Sequence, residues 1–196
     1  QIDRVADFVR ALPPAPLGRF GVLGNHDYGD YWRQNESASQ LERTLDALDR
    51  RIREEFERAR RYALSFSLIL LDVDQLRGLN ERLGNDGGDR ILAELGRLLQ
   101  RKLRAPDFVS RYGGDEFVVI LPGLDPAHAT SETSTVLARV RESFLTPFRL
   151  ADQTPTLTCS IGVSMYPLDA NDTVTLIKQA DTAMYAAKEV GRHAYR

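Results

Sequence analysis

The chain has 196 residues, 42% of them hydrophobic and 28% charged, which suits a globular protein with one substantial core and an appendage. A net charge of −2 and a pI near 6.0 supply no chain-wide positive field, so binding to nucleic acid or an anionic membrane is excluded as the main function. Cys159 is the single cysteine and agrees with a reducing compartment, so the expected location is cytoplasmic. The most apolar stretch, residues 63 to 71, is too short to cross a bilayer. Because the chain starts at Gln1, the full-length protein could still be membrane-tethered.

In chain order, residues 1 to 37 hold the Pro13, Pro14 and Pro16 cluster and are taken as an N-terminal remnant or fusion segment. An amphipathic connecting helix, residues 38 to 62, follows, with Leu41, Leu45, Leu48, Ile52 and Phe56 recurring every three or four positions. Such a helix either packs on the domain after it or acts as a signalling or dimerising element. Residues 63 to 196 form the main domain. Ser65 to Val73 reads as a buried strand ending in acids, and the Gly84 to Gly88 loop leads into a helix marked by Ile91, Leu92, Leu95, Leu98, Leu99 and Leu103. Phe108 to Tyr112 and Phe117 to Leu121 are strands around Gly113-Gly114, a pair suited to positive φ in a tight hairpin. A helix over Pro126 to Phe144, strands near Phe148 to Leu150 and Thr156 to Tyr166, and a helix from Asp172 to Val190 capped by Gly191 complete the domain, with a short strand at the end. The pattern predicts an α/β fold of the split βαβ, ferredoxin-like type, with a mixed central sheet flanked by helices.

Arg111-Tyr112-Gly113-Gly114-Asp115-Glu116-Phe117 is the most informative segment. Two glycines let a ligand approach the backbone, and two acids follow at once. On its own this is also the composition of a solvated hairpin. A second acidic group, Asp72 and Asp74, closes the buried strand, where a carboxylate can hold a metal rigidly; Mg²⁺ takes one or two carboxylates together with phosphate oxygens. A carboxylate such as Asp89 can accept from guanine N1–H and its exocyclic amine, a pair of donors adenine lacks, and Asn80 offers both a donor and an acceptor.

Taken together, in this order and spacing, the motifs resemble the GGDEF family, the diguanylate cyclases, over residues 45 to 196. The resemblance implies condensation of two GTP into cyclic di-GMP and two pyrophosphates at the interface of a homodimer, with Mg²⁺, or Mn²⁺ in its place, and with feedback inhibition by the product. It implies a nucleotidyltransferase with Asp115 and Glu116 as catalytic residues, and metal ligation by Asp72, the Val73 carbonyl, Asp115 and Glu116. The loop at Gln75, Leu76 and Arg77, together with Gly113, Gly114, Lys188 and Arg192, would hold GTP, and Asn80 and Asp89 would read its base. Arg104 and Asp107, in an R-x-x-D string five residues ahead of the Gly-Gly turn, match the family's inhibitory product site; arginine can stack on guanine and fork toward phosphate.

The sequence departs from the family pattern at Gln75 and Leu76, where aromatic residues are usual, at Arg77 in place of lysine, and at Asn85 in place of histidine. These departures support an alternative reading, a catalytically weak GGDEF domain that signals by binding GTP or cyclic di-GMP; a helix-driven dimerisation module is a third. Gly21 to Gly29 closely resembles the Asn-His-Asp motif of calcineurin-like metallophosphoesterases, but the further Asp and His motifs such enzymes need do not accompany it.

Overall fold

The computed structural model describes residues 38–145, 147–148 and 155–189, and the side chains from Asp46 onward except that of Asn85. Residues 1 to 37 with their Asn-His-Asp motif, the terminal strand, Gly191 and Arg192 lie outside the described residues.

The element order is α1 (Ala38–Tyr62), β1 (Ser65–Val73), α2 (Leu76–Leu83), α3 (Asn85–Lys102), β2 (Phe108–Gly113), β3 (Glu116–Leu124), α4 (Ala129–Phe144), β4 (Cys159–Tyr166) and α5 (Thr173–Glu189). The strands form one sheet in the order β2-β3-β1-β4. Every neighbouring pair is antiparallel, which corrects the expected mixed sheet. The physical reason is interleaving. β1 and β2 run parallel, joined by α2 and α3, but β3 lies between them; β3 and β4 run parallel, joined by α4, but β1 lies between those two. Two βαβ units therefore split each other, and no parallel neighbours remain among the described strands.

Period-2 alternation sends the side chains of the central strand to two cores. Ile69, Leu71 and Val73 join Phe117, Val119 and Leu121 beneath α2, α3 and α4. Phe66, Leu68 and Leu70 join Val118 and Ile120 on the other face, beneath Leu48, Ile52, Phe56 and Ala59 of α1 and Leu176, Ala180 and Met184 of α5. Phe56 meets Phe66 edge-on at 5.0 Å between centroids, so α1 is packed on the sheet from Leu48 onward.

One local expectation is corrected. The stretch after Val73 is not simply loop: α2 occupies Leu76–Leu83, only Gly84 interrupts, and Gly87 and Gly88 lie in the first turn of α3. Residues 149 and 150 of the strand expected near Phe148 lie outside the described residues; the Phe148 N–H donates to the Pro155 carbonyl at 3.0 Å.

Candidate functional site

Asp72 and Glu116 face each other directly across β1 and β3, on the side of the sheet that α5 covers. Asp115 belongs to the two-residue turn before Glu116, and its carbonyl accepts the Val73 N–H at 3.0 Å. The end of the central strand and the hairpin tip are thus stitched together, which brings the sequence-predicted acids Asp72, Asp115 and Glu116 to one place. The hairpin pairs Arg111 with Phe117 but Gly113 with Glu116, so one extra residue, Tyr112, bulges on β2. Bulges re-aim side chains, and here the bulge immediately precedes the acids. The Gly-Gly pair does not use positive φ as expected; among the described glycines that conformation occurs at Gly84 and Gly123.

Burial, and then the like charge of Asp115, push the Asp72 carboxyl up to about 7. Burial, followed by Asp72 and Asp115, pushes Glu116 up to about 8. The compensating cation is Lys188 near the end of α5, whose Nζ lies 2.7 Å from Asp72 Oδ2. Burial pulls the Lys188 ammonium down, but the facing Asp72, Glu116 and Asp115 together hold it above the usual lysine range. Asp72, Glu116 and Asp115 thus act on one described lysine, and the site is rich in carboxylate oxygens. No group of three acidic, histidine or cysteine side chains among the described residues forms a ready metal cage. An oxygen donor set with few protein ligands still suits Mg²⁺, which retains waters and fills its octahedron from substrate phosphates.

Asp74 is a fastening residue instead. Its carboxylate accepts from Thr158 Oγ1 at 2.8 Å and Ser160 Oγ at 2.9 Å, and its N–H donates to the Thr158 carbonyl, tying β1 to the entry of β4. The following Gln75 is left-handed, with φ 60° and ψ 25°, and opens α2. Leu76 packs its side chain into the core, so only its backbone can face a ligand, while Arg77 is exposed and bonds Glu81 at 3.3 Å.

Asn80 of α2 and Asp89 of α3 are half-buried and separated by the tight α2–α3 corner. The Oδ1 of Asn80 is buried without a hydrogen-bond partner, and Gly88 makes room for it: a Cβ there would meet Asn80 Oδ1 and lie 2.9 Å from Asn80 Cγ. On β2's approach, Arg104 and Asp107 form a closed turn. The Arg104 N–H donates to Asp107 Oδ2 at 2.8 Å, and its Nε and Nη2 reach Oδ1 at 3.3 and 3.2 Å. Sequence reading missed Glu132 of α4, which accepts from Arg104 Nη1 at 3.4 Å. Only folding brings these two segments together.

This arrangement agrees with the comparison to known families: residues 45–194 match the diguanylate cyclase GGDEF domain, and the chain belongs to that family. It is 38% identical over 144 residues to the probable diguanylate cyclase DgcC of Escherichia coli, covering 72% of this chain and 37% of the relative. It is 28% identical to the diguanylate cyclase TpbB of Pseudomonas aeruginosa over all of this chain and 48% of the relative. The chain thus spans less than half the length of these curated relatives. The crystal structure of the TpbB GGDEF domain superposes with a TM-score of 0.73 at 30% identity, covering 77% of this chain and 92% of that one. The GGDEF domain of DgcB from Caulobacter crescentus, solved in complex with c-di-GMP, gives 0.63 at 27% identity over 76% and 84%. No described helix is long and apolar enough to cross a membrane.

Proposed function

We propose that this chain condenses two GTP into cyclic di-GMP, releasing two pyrophosphates, through residues 63 to 196, with residues 38 to 62 as the connecting helix. The observation that supports this most is the convergence of Asp72, Asp115 and Glu116 beside Lys188 at the end of the two inner strands of the sheet. The 3′ hydroxyl of one GTP attacks the α-phosphate of another and pyrophosphate leaves; a second, reciprocal attack closes the ring. Each domain offers one acid cluster and one Asn80–Asp89 corner, so two copies meeting face to face supply the two nucleotides. Asp72, the Val73 carbonyl, Asp115 and Glu116 would hold Mg²⁺ or Mn²⁺, which supplies charge neutralisation for the triphosphate and the developing pyrophosphate. Lys188, with Arg192, holds phosphate oxygens, and the amides of Gln75, Leu76 and Arg77 approach the phosphates. Glu116 serves either as a ligand to the metal or as the group that helps take the proton of the attacking hydroxyl. Because Leu76 faces the core, its departure from the family pattern costs the site no side-chain contact. Incubating the purified chain with GTP and Mg²⁺ and separating nucleotides by chromatography tests the reading; a chain that yields no cyclic di-GMP overturns it.

The base corner carries its own prediction. Gly88→Ala favours the helix by propensity, yet its methyl takes the space of the Asn80 amide. The expected result is an intact fold with GTP binding weakened about tenfold, the worth of a lost hydrogen bond to a base, in calorimetry. Unchanged affinity would remove Asn80 from the base site.

Arg104 and Asp107 are the proposed product site, where cyclic di-GMP slows turnover. Glu132 competes there for the same guanidinium that a phosphate or guanine needs. Glu132→Gln is expected to tighten cyclic di-GMP binding about threefold, as befits a half-exposed ion pair, while Arg104→Ala abolishes it. Equal affinity in wild type and Glu132→Gln would show that the ion pair does not compete.

A further inference from the structure

We propose that Arg111 is the positioning residue for Asp115: its guanidinium fixes the peptide plane that enters Asp115 and so aims the carboxylate, an assignment that rests on the cyclase reading above. Arg111 is half-buried on β2, and its Nε and Nη2 both donate to the Gly114 carbonyl, at 3.0 and 2.7 Å. That carbonyl belongs to the same planar unit as the Asp115 N–H, so fixing the oxygen fixes the amide. The next peptide is fixed as well, because the Asp115 carbonyl accepts from the Val73 N–H at 3.0 Å. Asp115 is therefore held between two restrained planes, and the direction of its Cα–Cβ bond follows from both.

The sequence explains why a side chain has to do this. Gly113 and Gly114 give the turn wide backbone freedom, and the bulge at Tyr112 interrupts the regular β2–β3 register just before it. The Gly114 carbonyl lies in the turn, outside both strands of the β ladder. A planar fork with two donors on one oxygen restores order at that atom. Lysine, a compact charge on a flexible stem, keeps the electrostatics but cannot reproduce the fork.

Arg111→Lys in the full chain separates orientation from charge. Uptake of Mn²⁺ in the presence of a non-reacting GTP analogue is followed by electron paramagnetic resonance, alongside urea unfolding, affinity for the analogue and steady-state kinetics. Loss of an outer partner of a metal ligand typically costs 10–100-fold in metal affinity or activity. The expected result is about a tenfold rise in the Mn²⁺ needed for half occupancy and a similar fall in kcat, with KM and the urea midpoint close to wild type. Arg111→Ala should show the same pattern; if it does not fold, the lysine variant carries the test. Wild-type Mn²⁺ uptake and kcat in Arg111→Lys, or losses that merely track unfolding, overturn the assignment while leaving the cyclase reading intact. A wild-type chain that neither binds Mn²⁺ with the analogue nor makes cyclic di-GMP overturns both.

Discussion

Asp115→Asn is expected to reduce cyclic di-GMP formation by on the order of 10³-fold, the rate equivalent of several kcal/mol of lost charge stabilisation, while making the metal-free fold more stable rather than less. The two effects share one cause. Asp115 adds negative charge beside Asp72 and Glu116, whose carboxyls burial already pushes up, and the same charge favours a bound cation. Both neighbours bind protons more tightly in the folded chain than in the unfolded one, so with EDTA present stability falls as pH rises from about 4 through about 8. Removing Asp115 relieves the second cause of the Asp72 shift and leaves the first, burial, so the gain is partial and largest near pH 8. Thermal unfolding in EDTA at pH 5 and pH 8, together with product chromatography under Mg²⁺, checks both halves. A variant that cyclises normally, or one that melts below wild type at pH 8 without metal, would remove Asp115 from the acid cluster.

What was legible in the sequence was the local chemistry. Asp72 at a strand end and Asp115-Glu116 after Gly-Gly could be singled out because buried strands and hairpins leave strong short-range patterns. The less legible features depend on contacts between distant segments. The antiparallel sheet arises because each βαβ unit inserts a strand into the other, which no single segment records. α2 was hidden because it is only eight residues long, contains Gly78 and starts from a left-handed Gln75 without a side-chain cap. Gly113-Gly114 suggested positive φ, but the bulge at Tyr112 takes up the turn's geometry instead. Gly88 looked like loop, whereas it is a helical residue that leaves space for Asn80. Arg111 lay in full view within the motif; its significance appears only when its fork is seen on the Gly114 carbonyl.

Gly162→Ala is expected to be the most destabilising single methyl in the domain, costing roughly 3 kcal/mol, at the upper end of ordinary overpacking. Gly162 lies on β4 opposite Leu70, under α5. A Cβ there would meet the Ala180 carbonyl and the Met184 N–H, and would stand 2.7 Å from Met184 Cβ. Those are backbone and near-backbone atoms of a helix, which cannot rotate aside as the tip of Asn80 can. α5 must therefore lift from the sheet, opening the packing of the fully buried Ala180 and straining the bond from Ser164 Oγ to the Leu176 carbonyl at 2.7 Å. Lys188 follows Met184 by one turn and depends on that seating to reach Asp72, so the acid cluster loses its resident cation along with the packing. Gly96→Ala provides the control. Its Cβ would meet Phe117 at an ordinary 3.6 Å within α3, where replacing glycine by alanine gains about 0.5–1 kcal/mol. Urea unfolding of the two variants should move in opposite directions, and GTP binding should be lost only in Gly162→Ala. Equal stability of Gly162→Ala and wild type would mean that α5 rides higher on β4 than the contact between Gly162 and the helix backbone allows, and the placement of Lys188 against Asp72 would fall with it.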